Sequence, residues 1–134
     1  MHSQNVVLVI DDNADILFSV QRMLEYEGFV VYTACEPEEG IELYEAHSEE
    51  IKLVLLDYFM DGMNGDEVFA HLRRINPAVR VILATGSGDA VAKRMLADGL
   101  RAFLRKPFSP EELLDLMRDE IGADLQCHAE SLAA

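Results

Sequence analysis

Five short apolar runs alternate along the chain with five stretches of helical period. The runs occupy residues 6–10, 29–32, 53–56, 79–84 and 102–104. Most are continuous rather than alternating, as strands covered on both faces are. Between them, Ile16, Leu17, Val20, Met23 and Leu24 fall on one face of a helix of about 14 residues, and Gly28 is placed to end it. Pro37 suits the first turn of a second helix carrying Ile41 and Tyr44. Val68, Phe69 and Leu72 mark a third, which stops before Asn76-Pro77. A fourth covers residues 89–96, with Gly99 as its stop. The fifth has the clearest start: Ser109 as N-cap, Pro110 in the first turn and Glu112 three residues after the cap. Its apolar face is Leu113, Leu114, Leu116, Met117 and Ile121.

Five strand–helix units predict an α/β fold, a doubly wound parallel sheet with helices on both faces. Right-handed crossovers and an order reversal beside the first strand bring the ends of strands one and three together. Residues 1–121 are expected to form the domain. Residues 122–134 have no strong pattern and read as a tail that frays, extends the last helix or begins a linker.

Composition narrows the functional classes. A chain of 134 residues, half of them hydrophobic, supports one domain with a packed core. The formal charge of −14 argues against direct nucleic-acid binding, which needs a basic surface. Most of this acid, including Glu36, Glu38, Glu39, Glu49, Glu50, Glu111 and Glu112, reads as solvated surface. Cys35 and Cys127 form no disulfide framework and are expected as reduced thiols. No apolar run approaches about 18 residues, and the amino-terminal segment lacks the charged region of a signal peptide, so a cytoplasmic protein without membrane insertion is expected.

The candidate chemistry lies where the runs end. Asp11 and Asp12 follow the first run, Asp57 the third, Thr85 the fourth, and Lys106 comes just after the fifth. In an open parallel sheet the functional crevice lies outside the carboxyl ends of the strands. Three carboxylates, a hydroxyl and an ammonium then meet at one edge. A hard divalent cation relieves crowded acids, and a hydroxyl and lysine beside it suit a phosphoryl group. Singly, each residue has an ordinary role: Asp11 and Asp12 as helix caps, Asp57 in a turn, Thr85 in a strand, Lys106 on the surface. Together those explanations require five coincidences. His2, His47, His71 and His128 show no metal-ligand spacing.

These residues resemble a known family, the response regulator receiver domains of two-component signalling. The resemblance rests on Leu8-Val9-Ile10-Asp11-Asp12-Asn13, on residues 55–65 around Asp57, on Ile82-Leu83-Ala84-Thr85-Gly86, and on Phe103-Leu104-Arg105-Lys106-Pro107-Phe108. It covers residues 5–121 and implies a flavodoxin-like sheet of order 2-1-3-4-5. It implies that Asp57 is the phosphorylated nucleophile, fed by a histidine kinase or a histidine phosphotransfer domain. Mg²⁺ is implied as the cofactor, held by Asp11, Asp12, Asp57 and the backbone carbonyl of Phe59, with Asp12 the more direct of the first pair. Lys106 would pair with one phosphoryl oxygen and Thr85 would donate to another. Thr85 and Phe103 would act as the switch, altering the face of helix four, strand five and helix five that meets an effector. The resemblance further implies a cis Lys106-Pro107 peptide, places Phe59 and Ser87 beside the path of hydrolytic water, and leaves homodimerisation on phosphorylation open.

One departure is Asp61, where many members carry Pro. A haloacid-dehalogenase-like phosphatase would need an Asp at position 59, where this chain has Phe59. A dinucleotide site is disfavoured because residues 11–13 contain no glycine. A receiver-like module that binds without phosphorylation is disfavoured by the intact acids.

Overall fold

The computed structural model describes residues 5–86 and 89–133, with side chains as far as Gly122 apart from that of Asp89. The elements in order are β1 (Val6–Ile10), α1 (Ala14–Tyr26), β2 (Val30–Ala34), α2 (Pro37–His47), β3 (Ile51–Asp57), α3 (Gly65–Ile75), β4 (Val81–Thr85), α4 (Asp89–Ala97), β5 (Ala102–Arg105) and α5 (Pro110–Ala133). The five strands form one parallel sheet of order β2-β1-β3-β4-β5, as expected.

Strand periodicity sorts the core into two layers. Leu8, Ile10, Val54, Leu56, Val81 and Leu83 face Tyr44, Val68, Phe69, Leu72, Ala92 and Met95 of α2, α3 and α4. Val7, Val9, Leu53, Leu55, Ile82 and Ala84 face Leu17, Val20, Leu24, Leu113, Met117 and Ile121 of α1 and α5. Every residue of β1 and β4 is buried, which explains their unbroken apolar sequence.

Strand boundaries differ from the apolar runs for local reasons. Phe29 belongs to the turn, its N–H donating to Leu24 O at 3.0 Å, while β2 continues through the polar Thr33. β3 begins two residues early, because Lys52 is a half-buried strand residue that donates to Asn5 Oδ1 at 3.3 Å. Val79 is buried but precedes β4, which ends on Thr85.

The helix signals are realised. Gly28 and Gly99 adopt φ of +95° and +109° after α1 and α4, where a Cβ would be strained. Ser109 Oγ accepts from Glu112 N–H at 3.1 Å and Glu112 Oε1 accepts from Ser109 N–H at 3.2 Å, closing a capping box. The helix it starts runs on through Ala133. No helix among the described residues is long and apolar enough to cross a membrane.

Candidate functional site at the carboxyl edge of the sheet

Because the strands are parallel, their carboxyl ends share one edge. Asp11 extends β1 by one residue, its N–H donating to Ala34 O at 3.1 Å. Asp57 ends β3 opposite Ala84, and the following Tyr58 N–H donates to Ala84 O at 3.1 Å. Thr85 ends β4, and its carbonyl accepts from Lys106 N–H at 2.8 Å just beyond β5. The Lys106-Pro107 peptide is cis.

The acids are not spent on capping α1. That role belongs to Asn13, whose Oδ1 accepts from the N–H groups of Asp15 and Ile16 at 3.0 and 3.2 Å. Asp11 in turn accepts from Asn13 N–H at 2.9 Å, which orients its carboxylate. Sequence reading passed over Asn13; an Asx residue directly before a helical stretch was the available signal.

Asp11, Asp12 and Asp57 each offer a carboxylate oxygen within 4.8 Å of the others. Asp11 and Asp57 are only 4% and 7% exposed, whereas Asp12 faces solvent. Lys106 Nζ lies 2.9 Å from Asp11 Oδ2 and 3.0 Å from Asp57 Oδ1. This double ion pair had not been anticipated, since sequence reading assigned Lys106 to a phosphoryl oxygen. Three acids against one ammonium leave an excess of negative charge. All the donors are oxygens, the set a hard divalent cation prefers.

Burial raises the Asp57 carboxyl above its ordinary value; the Lys106 hydrogen bond opposes this, and the charges of Asp11 and Asp12 add to it. Burial alone would lower Lys106, but its bonds to Asp11 and Asp57, and their charges, hold it above its ordinary value. A raised carboxyl means the folded state binds the proton more tightly than the unfolded chain. Asp57 therefore costs stability as pH rises from its ordinary 3.8 through the raised folded value. In chelator, thermal unfolding of wild type and Asp57→Asn should diverge across that window, the variant becoming relatively more stable, and run parallel above it. The raised Lys106 shifts stability with pH in the same direction but in a higher window: its favourable contribution is fully present at neutral pH and is lost only above 10.5.

Around this centre, Thr85 is buried at the adjacent strand end. Phe59 is 53% exposed at the rim, its ring edge-on to Tyr58 with centroids 4.7 Å apart. Phe103 is half-buried on β5, packed against the α2–α3–α4 core beside Leu83. Ser87 lies outside the described residues. Asp61 is exposed and shares with Asp12, Cys35, Glu36 and Glu38 a cleft of about 450 Å³. On the other flank a cleft of about 510 Å³ runs from Lys106 and Phe108 to Ile16 and Ser19 of α1.

Neither histidine whose side chain is described, His47 or His71, contributes to the site. His47 packs on Tyr32 and meets Glu50 Oε1 at 3.1 Å, and His71 lies half-buried on α3. His2 and the side chain of His128 lie outside the described residues, as does the side chain of Cys127; Cys35 is an exposed free thiol.

The family model for the response regulator receiver domain matches residues 7–118. The chain belongs to the response regulator receiver domain family. This receiver domain is 32% identical over 123 residues to the transcriptional regulatory protein GlrR of Escherichia coli, covering 90% of this chain and 27% of that protein. It spans less than half the length of the curated relatives it matches. A receiver domain protein from Clostridium thermocellum superimposes with a TM-score of 0.87 at 29% identity, covering 92% of this chain and 98% of that one. A CheX–CheY–BeF₃–Mg²⁺ complex from Borrelia burgdorferi matches with a TM-score of 0.82 at 26% identity, covering 86% and 87% of the two chains. Receiver domains are the aspartate-phosphorylated modules of two-component systems.

Proposed function

We propose that this receiver domain is a phosphorylation-dependent switch that takes a phosphoryl group onto Asp57 from a histidine kinase or histidine phosphotransfer domain, with Mg²⁺. The observation that carries this reading is the convergence of Asp11, Asp12, Asp57 and Lys106 within hydrogen-bonding or metal-sharing distance. Residues 1–121 are the phosphoacceptor domain.

Asp11, Asp12 and Asp57 would hold the metal together with the backbone carbonyl of Phe59. Bound there, Mg²⁺ supplies charge neutralisation to the phosphoryl oxygens. An Asp57 oxygen attacks phosphorus while the N–P bond to the donor imidazole breaks, and the imidazole leaves with that electron pair. Lys106 exchanges its contact with Asp57 for a phosphoryl oxygen, and the Thr85 hydroxyl donates a hydrogen bond to another. Drawing Thr85 inward vacates space for the Phe103 ring, which reshapes the face of α4, β5 and α5 for an effector or a second copy.

Mass spectrometry of the intact chain after incubation with acetyl phosphate tests this. A gain of about 80 Da that requires Mg²⁺ supports phosphoryl transfer; no gain points to a binding module that works without it. The exposed Phe59 ring offers no group to orient water and shields the phosphoryl. Phe59→Asn should therefore shorten the phosphoryl lifetime severalfold, and equal decay in the two proteins would sink this role.

A further inference from the structure

Gly65 is buried, and the space for its missing side chain is already filled by the acceptor strand. A Cβ added there would lie 2.9 Å from Asp57 O, 2.9 Å from Tyr58 Cα and 3.1 Å from Leu83 Cδ1. The first two are main-chain atoms of the acceptor and its neighbour. They cannot retreat, because β3 pairs on both sides, with Asp57 opposite Ala84 and Tyr58 N–H bonded to Ala84 O at 3.1 Å. Positive φ is confined, among the described glycines, to Gly28, Gly62 and Gly99, so position 65 demands room rather than unusual backbone. Gly65 N–H also donates to Tyr58 O at 2.7 Å. The loop that leaves Asp57 is thus closed on itself by one hydrogen bond, at a point that admits no side chain. Phe59 sits inside that loop.

We propose that Gly65 is a positioning residue for the acceptor site. By letting the first turn of α3 lie against the main chain of Asp57 and Tyr58, it fixes the Phe59 carbonyl relative to the Asp57 carboxylate. The inference rests on the reading above, in which this site takes Mg²⁺. A Cβ lifts the start of α3, breaks the Gly65–Tyr58 bond and slackens the loop. Asp11 and Asp12 are carried by β1 and stay in place, so the cation is held more weakly rather than lost.

Calorimetric titration of the full chain with Mg²⁺ tests this on wild type, Gly65→Ala and Gly28→Ala. Gly28, at φ +95°, lies in the turn entering β2 at the opposite edge of the sheet, and its replacement is strained. Both variants should melt lower. Gly65→Ala should bind Mg²⁺ about tenfold more weakly, and Gly28→Ala as wild type does. Wild-type affinity in Gly65→Ala would make Gly65 a folding residue only and overturn the proposal. Absence of Mg²⁺ binding in wild type would instead remove the underlying reading and the inference with it. Should Gly65→Ala fail to fold, amide exchange in the wild-type protein decides. Mg²⁺ at 100 times its Kd should slow the Gly65 amide by up to about 100-fold, and slow it more than the remote Phe29 amide. Equal slowing of the two overturns the proposal.

Discussion

Asp57→Asn should stay at its unmodified mass under conditions where the wild type is phosphorylated. A side-chain amide has no anionic oxygen to form the bond to phosphorus, so no aspartyl phosphate forms at position 57. The loss should exceed a thousandfold in initial rate, which intact-mass measurements on a time course resolve. The same variant should fold more stably without Mg²⁺. Asp57 is buried, and its charge is opposed by those of Asp11 and Asp12. Removing one of three crowded charges leaves Lys106 to serve Asp11 alone. Lost transfer together with a higher melting temperature separates a chemical role from a folding role. Lost transfer with a lower melting temperature would indicate that Asp57 holds the edge together instead.

Lys106→Met should do the reverse to stability. Its ammonium contacts Asp11 and Asp57 at 2.9 and 3.0 Å, with side-chain exposures of 21% for the lysine and 6% and 8% for the acids. Methionine retains much of the apolar stem but leaves both carboxylates facing each other uncompensated. Removing one partner of a buried ion pair costs about 3–5 kcal/mol, and the partial exposure of Lys106 places this case near about 2–3 kcal/mol at neutral pH. Urea unfolding measures it. Saturating Mg²⁺ should restore most of the loss, because the cation then supplies the missing countercharge. Combining Lys106→Met with Asp57→Asn should cost much less than Lys106→Met alone, since the two groups interact directly. A Lys106→Met protein that unfolds like wild type in chelator, or ignores Mg²⁺, contradicts this account.

Much of the architecture was legible because buried strands and amphipathic helices leave different periods in the chain. Val6 to Ile10 could hardly be anything but a strand covered on both faces. Boundaries were less legible wherever a polar residue sits in a strand at the rim, as Lys52 and Thr33 do, or an apolar one sits in a turn, as Phe29 does. The strand-end residues were legible because topology alone brings them together. What escaped were relations that depend on distance rather than order. Asn13 takes the cap that would otherwise have engaged an acid, Lys106 bridges two carboxylates at once, and Gly65 is needed for space. No composition or spacing rule records that a main chain lies 2.9 Å from where a Cβ would be.

The sheet order gives the two sides of the ion pair unequal mechanical footing. Asp11 and Asp57 follow β1 and β3, each flanked by strands on both sides. Lys106 follows β5, a four-residue strand that pairs with β4 alone. Interior strands yield only with the whole sheet, whereas an edge strand yields locally at lower cost. The acids are the anvil of this site and the ammonium is mounted on its softest spring, so a change of charge at Asp57 is taken up as movement of the edge and not of the frame.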